Sequence, residues 1–289
     1  MSISALAVPK VRGKLSAIMA DGVFWVVPIL VTAVFAWLIG DIVWHGLGQI
    51  SWEFLTQSPR SSGRTGGIAP ILVSTFLVVL IAICVAGPLG LGTAILLADL
   101  VPAGSRAGRW IRRSLDLLAG IPSIVFGLFG NLVFCNLLGL GFSILSGGLT
   151  LACMALPIVV RAAEESLRGV PTGCRRGALA LGMPRHRAIL LVNVPIALPG
   201  IIDGLMLGIG RAIAETAALV FTSGYVDRMP GSLLDSGRTL AVHIFDLSMN
   251  VTGGDSRAYA SALVLFGLLL AIGGLLAITS RLVQHWQGR

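Results

Sequence analysis

VNVPIALPGIIDGLMLGIGRAIAETAALV runs from Val192 to Val220. It is long enough to cross a bilayer, since a spanning helix needs about 20 mostly apolar residues. Three charged residues stand inside it: Asp203, Arg211 and Glu215. An ionised side chain at the centre of a bilayer costs roughly 2.5–3.5 kcal/mol on insertion scales. The length of the run points to a membrane-embedded helix, and its charges need a protein or aqueous environment there.

The rest of the chain agrees with a membrane reading. Hydrophobic residues make up 55% of the 289 residues and charged residues only 12%, with a mean hydropathy of +0.91. A soluble domain usually carries about 25% charged residues. The net charge is +8, but the basic residues fall in short clusters between apolar runs. That distribution is the positive-inside pattern and not the single basic face of a nucleic-acid binder, so nucleic acid is excluded as a partner. Cys84, Cys135 and Cys153 lie in apolar runs, where cysteine acts as a small hydrophobe, and Cys174 lies in a basic loop. The chain contains no CxxC, no HExxH and no GxxxxGK[ST]. His45, His186, His243 and His285 are scattered, so no metal site is expected. No cofactor is expected on this chain, and any ATP hydrolysis would belong to another subunit.

Six apolar segments are predicted to span: 20–43, 68–96, 114–136, 143–163, 192–222 and 258–280. The expected fold is all-α and polytopic, with a segment 1–19, a transmembrane domain over 20–285 and a tail 286–289. The first apolar run is too long for a signal peptide and no small-residue cleavage site follows it, so it reads as an uncleaved span. Fifteen of the 21 lysines and arginines fall on the side that holds the N-terminus and five on the other, with Arg211 inside a span. That bias predicts both termini in the cytoplasm. Trp44 and Trp52 then approach the outer interface, and Trp110 and Trp286 the inner one.

The loop 164–191 carries five arginines, with Arg161 just before it. Within it, Pro171 and Thr172 are expected to open a short helix, with Thr172 as cap. Gly182 is expected to end that helix in the left-handed conformation, and Pro184 to start the next. Two readings fit this helix–corner–helix: docking into a groove of another protein, or a basic loop held at lipid headgroups.

On one continuous helix Arg211 and Glu215 would lie about 40° apart and one turn along the axis. Arginine stays charged, because its pKa exceeds about 12. Both groups are therefore expected to face protein or water. One reading is a structural ion pair, although arginine before glutamate at this spacing is the poorer orientation. The other is an anion path, in which the planar donors of Arg211 match an oxyanion and Glu215 balances the charge. Asp203 reads as a solvated residue near the cytoplasmic end. Glu164 and Glu165 read as a solvated helix end beside Arg161 and Arg168, and Asp116 as a partner of Arg112 or Arg113. The PLGLG stretch, Pro88–Gly92, reads as a fixed kink. Ser123 follows a proline but has no GxSxG elbow or nearby histidine, so it is not read as a nucleophile.

The loop resembles the cytoplasmic signature of ABC-importer permeases: EAA, three residues, G, nine residues, then I-x-L-P. Here Arg176-Gly177-Ala178 occupies the EAA positions, Gly182 is the glycine, and Val192-Asn193-Val194-Pro195 closes the pattern. Arg176 and Gly177 depart from it. GGIAP (66–70), PLGLGTAILLADL (88–100), LAGIPSIVFGLFG (118–130), GRAIAETAALVFTSG (210–224) and LAVHIFDLS (240–248) extend the similarity to the PstA-type permeases of phosphate importers, over roughly residues 20–285. The resemblance implies a type I ABC-importer permease fold in a bacterial inner membrane. It implies a heterodimer with a related PstC-like permease, an ATPase dimer docked at Arg176, Gly177, Ala178 and Gly182, and an extracytoplasmic phosphate-binding protein. It also implies a phosphate path at Arg211 and Glu215. The alternatives are a permease for sulfate or molybdate, and a membrane-embedded enzyme using Glu215 as acid or base. The enzyme reading lacks a second catalytic group at credible spacing.

Overall fold

A computed structural model describes residues 14–102 and 104–287, with side chains described over 24–102 and 104–282. Residues 1–13 and 288–289 of the expected terminal segments, and the side chain of Trp286, lie outside the described residues.

The chain is helical almost throughout. Its main elements are α1 (Lys14–Gly46), α2 (Trp52–Thr56), α3 (Ala69–Ile95), α4 (Arg106–Gly120), α5 (Ser123–Gly130), α6 (Ile144–Arg168), α7 (Thr172–Ala180), α8 (Arg185–Ala188), α9 (Val194–Ala214), α10 (Ala217–Val220), α11 (Leu240–Met249) and α12 (Asp255–Gln287). Single π-helical segments follow α3 (Leu96–Leu100), α5 (Asn131–Leu137) and α8 (Ile189–Asn193). Several starts follow local chemistry. Ser143 Oγ accepts from Ser146 N at 3.1 Å and Ser105 Oγ from Gly108 N at 3.0 Å, which satisfies donors that a helix leaves free. Pro70 sits in the first turn of α3, where its missing N–H costs nothing.

The centre of the bundle is the pair α3 and α6, with α9 beside them. Val78, Val79 and Ala82 of α3 meet Leu151 and Met154 of α6, and Ala212 and Ile213 of α9 join the same core. Small residues set the spacing, because helices in lipid associate through close packing and not through the hydrophobic effect. A Cβ on Gly148 would lie 2.6 Å from Ile81 Cβ, and one on Gly90 2.7 Å from Val159 Cγ1. α3 runs as one helix through Pro88 and the PLGLG stretch, and Gly90 there admits α6.

Among the described residues, five helices are long and apolar enough to span, within Phe24–Gln49, Ala69–Leu100, Ile144–Arg168, Arg185–Ala214 and Asp255–Leu282. The expected third span is not one straight helix. It is bent by 101° between Arg106–Gly120 and Ser123–Leu137, at Gly120-Ile121-Pro122. Pro122 has no N–H for the ladder and disfavours helical geometry at Ile121 before it. The pair still advances along α6 in one direction. Leu115 packs near Val160, Ile121 and Phe126 join the core of Leu151 and Met154, and Gly130 abuts Thr150. Counted as one crossing, it makes six.

The arginine-rich end of the bundle holds the ends of α3 and α6 and the starts of α4 and α9. The far end holds α2, α11 and a two-stranded hairpin in which β1 (Pro59–Arg60) pairs with β2 (Thr65–Gly66). There the chain from Phe221 to Thr239 caps α6: Thr222 O accepts from Ser143 N, and Asp235 O from Ile144 N.

Candidate functional site

The apolar run that began the sequence reading does not form one helix from Val192 to Val220. α9 stops at Ala214, and Glu215 is extended, with φ −73° and ψ 128°. A new helix, α10, starts at Ala217. Glu215 Oε1 accepts from Ala218 N at 3.2 Å, so the carboxylate serves α10. The expected 40° offset between Arg211 and Glu215 on a common helix is thus corrected. No ion pair between them is present among the described residues. The cause is local: the glutamate satisfies a free N–H of the next helix, which stabilises the break.

The break lies at mid-depth. Arg211 is followed by Ala212 and Ile213, which pack with Leu151 and Met154 near the middle of α6. Gly208, one turn before Ala212, abuts Val159, and Gly204 abuts Ala162. This face of α9 is sealed by its own chain. The opposite face is not. Asp203, Leu207, Arg211 and Ala214 are all exposed, at spacings of three and four residues. Such spacing puts them on one stripe. Among the described residues Arg211 has neither a hydrogen bond nor an ion pair. Irregular backbone at membrane depth persists only where protein covers it or water reaches it. An unpaired guanidinium there obeys the same rule.

The arginine-rich loop folds as expected in outline. Gly182 has φ +78° and ends α7 in a left-handed turn. Met183 N donates to Ala178 O at 3.2 Å and Gly182 N to Leu179 O at 3.0 Å, the paired bonds of a Schellman ending. The start differs: Pro171 is the capping position and Thr172 is the first helical residue, with no side-chain cap. Arg176 and Gly177 are exposed and Ala178 is buried, so the corner presents one face outward and one to the bundle.

Polar residues tie this loop to the spans. Asp99, at the π-helical end of α3, has a side chain only 4% exposed and pairs with Arg175 at 3.1 Å. Asn193 Nδ2 donates to Asp99 Oδ1 at 3.1 Å, and Arg185 donates to the Asp99 carbonyl. Nearby, Glu164 is buried between Arg112 and Arg168, each at 2.9 Å. It is not the solvated residue expected, although Glu165 is exposed. Asp116 pairs with Arg161 and not with Arg112 or Arg113. Sequence reasoning missed Asp99. Its only signal was a lone acid closing an apolar run.

At the far end, Arg238 is buried and pairs with Asp246 at 2.9 Å. Its Nε donates to Tyr225 O at 2.9 Å. His243 lies against it on α11, outside the spanning helices. Burial, helped by the Arg238 charge, lowers its pKa from 6.5 to about 4, against a weaker opposing pull from Asp246.

Comparison with known proteins adds a family. The family described as "Binding-protein-dependent transport system inner membrane component" matches residues 88–285. A probable ABC transporter permease protein, YqgI of Bacillus subtilis, is 32% identical over 261 residues, covering 86% of this chain and 88% of that protein. The phosphate transport system permease protein PstA 2 of Mycobacterium bovis is 31% identical over 277 residues, covering 93% and 89%. PstC of Xylella fastidiosa is 32% identical over 284 residues, covering 88% and 84%. Among solved structures, a bacterial alginate ABC transporter superposes with TM-score 0.63 at 11% identity, covering 93% and 94%. The MetNI methionine ABC transporter superposes with TM-score 0.58 at 18% identity, covering 75% and 94%. These two support the fold: an ABC-importer permease.

Proposed function

Because the chain belongs to the family of binding-protein-dependent transport system inner membrane components, we propose that it is the PstA-type permease subunit of an ATP-driven phosphate importer. It is a transport component and not an enzyme. A separate subunit hydrolyses ATP.

The observation that carries the substrate reading is Arg211: a permanent cation, unpaired, at mid-depth, on the uncovered stripe of α9, one turn from a broken helix. A second permease, PstC-like, covers that stripe and leaves an aqueous path along it. In that path the guanidinium offers paired donors that fit phosphate oxygens. The break after Ala214 supports the same reading, since transporters build substrate sites at interrupted helices near the midplane. Glu215 holds the break in place. Its charge also limits how tightly an anion is held, and a transported ion has to leave.

Orientation follows the arginines. The loop between α6 and α9 faces the cytoplasm, as do both termini. An ATPase dimer docks on the corner formed by Arg176, Gly177, Ala178 and Gly182. Arg176 gives this surface a positive charge. A phosphate-loaded extracytoplasmic binding protein docks on the far end. Closure of the ATPases on ATP rocks the two permeases, and the path opens alternately to each side.

The test is uptake of radiolabelled phosphate by the reconstituted complex, challenged with unlabelled phosphate, sulfate and molybdate. Only phosphate is expected to compete. Absence of saturable phosphate uptake, or inhibition of it by sulfate or molybdate at lower concentration than by phosphate, contradicts the substrate reading and leaves the permease reading standing.

A further inference from the structure

The last carbonyls of a helix have no partner within it. At the π-helical end of α3 these carbonyls collect arginines from three other elements. Leu97 O accepts from Arg112 at 3.1 Å and from Arg168 at 3.3 Å, and Asp99 O accepts from Arg185. The side chain of Asp99 adds Arg175 and Asn193. Thus α7, α8 and the start of the fifth span all hold the same residue of the second span. Among the described residues, no other hydrogen bond or ion pair joins α7 or α8 to this end of α3.

The grip is incomplete. Asp99 Oδ2, Arg175 Nε and Asn193 Oδ1 are buried and have no hydrogen-bond partner. Their residues help line a cavity of about 280 Å³, together with Leu179, Arg185 and Ile189. Arg175 therefore holds Asp99 by one tooth, through its terminal nitrogen, while Nε and Oδ2 stand free. A carboxylate and a guanidinium are most strongly joined by two parallel bonds. The cavity leaves room for the Arg175 side chain to turn and add the second bond without breaking the first, so the pair can tighten while α7 stays in place.

We infer that Asp99 is a positioning residue that fastens the loop of α7 and α8 to α3, so that the loop and the second span move as one body when the ATPase moves. This rests on the reading of the loop as the ATPase-docking element. Breaking a buried ion pair by removing one charge leaves the other uncompensated, and its grip is lost.

The test uses the complete importer in proteoliposomes, wild type and Asp99→Asn. Spin labels at Ala180 on α7 and Leu89 on α3, in a chain whose native cysteines are replaced, report the separation of loop and span. It is read without nucleotide and again when trapped with ATP and vanadate. With Asp99 present, the separation stays narrow in both states. In Asp99→Asn it broadens and shifts between states. Phosphate taken up per ATP hydrolysed falls roughly tenfold, the size of a typical coupling between sites, while the ATPase still co-purifies. The double variant Asp99→Asn/Asn193→Asp, which moves the carboxylate to the neighbouring side chain, restores both readouts. Wild-type label separation and wild-type uptake per ATP in Asp99→Asn overturn the assignment. So does failure of both variants to assemble, which makes Asp99 a residue of folding alone. The docking reading fails separately, if Arg176→Cys never cross-links to the ATPase subunit. The label pair still decides in that case whether Asp99 fixes the loop to α3.

Discussion

Glu215 Oε1 accepts a hydrogen bond from Ala218 N at 3.2 Å, so the carboxylate belongs to the helix after the break and not to Arg211. The two residues act separately as a result. Glu215→Gln keeps an acceptor for Ala218 N, whereas Glu215→Ala removes it. Loss of a cap costs about 1 kcal/mol. Thermal unfolding of the purified complex is expected to lower the melting temperature for Glu215→Ala and to leave it nearly unchanged for Glu215→Gln. Equal destabilisation by both substitutions would mean that charge, and not capping, holds the break.

Gly182 sits at φ +78°, where a Cβ is strained by roughly 1–2 kcal/mol. Gly182→Ala is expected to loosen the corner without disturbing the spans, because a Cβ there meets no atom within 4 Å. The measurement is the amount of ATPase that co-purifies. A drop with normal membrane insertion is predicted.

Gly148 is different in kind. Its Cβ would lie 2.6 Å from Ile81 Cβ, between the two central helices. Overpacking of this sort typically costs about 1–3 kcal/mol. Gly148→Val is expected to reduce the yield of folded complex in detergent, with Ile81→Ala as a partial suppressor.

His243 sets a pH dependence at the far end. Its pKa is about 4 in the fold and 6.5 when free, so the unfolded chain binds a proton first as pH falls. Stability is therefore full above about pH 6.5 and declines toward pH 4, by up to about 3 kcal/mol at 1.36 kcal/mol per pKa unit. Melting temperature measured across this window is expected to fall with pH in the wild type. In His243→Gln it falls less.

Much of the architecture is legible from local pattern. Apolar length announces the spans, and a glycine between two short polar helices announces the corner at Gly182. The break after Ala214 is not legible, because no proline or glycine follows Gly210 until Gly224. It is stabilised by a side-chain cap and by the packing of Ala218 and Leu219, neither of which has a periodic signature. The Asp99 and Glu164 clusters are hidden for another reason. Asp99 meets Asn193 across 94 residues, and Glu164 meets Arg112 across 52. Such partners exist only once the helices have packed. Local spacing instead pointed Asp116 to its neighbours Arg112 and Arg113, while packing delivered Arg161.

The most direct test of the transport path is phosphate uptake by the reconstituted complex carrying Arg211→Gln, with assembly of all subunits checked in the same preparation. Arg211 is exposed on its own chain and holds no partner among the described residues, so the variant is expected to fold and assemble normally. Uptake is expected to be lost while ATPase activity remains. Normal phosphate uptake by a fully assembled Arg211→Gln complex would contradict the account.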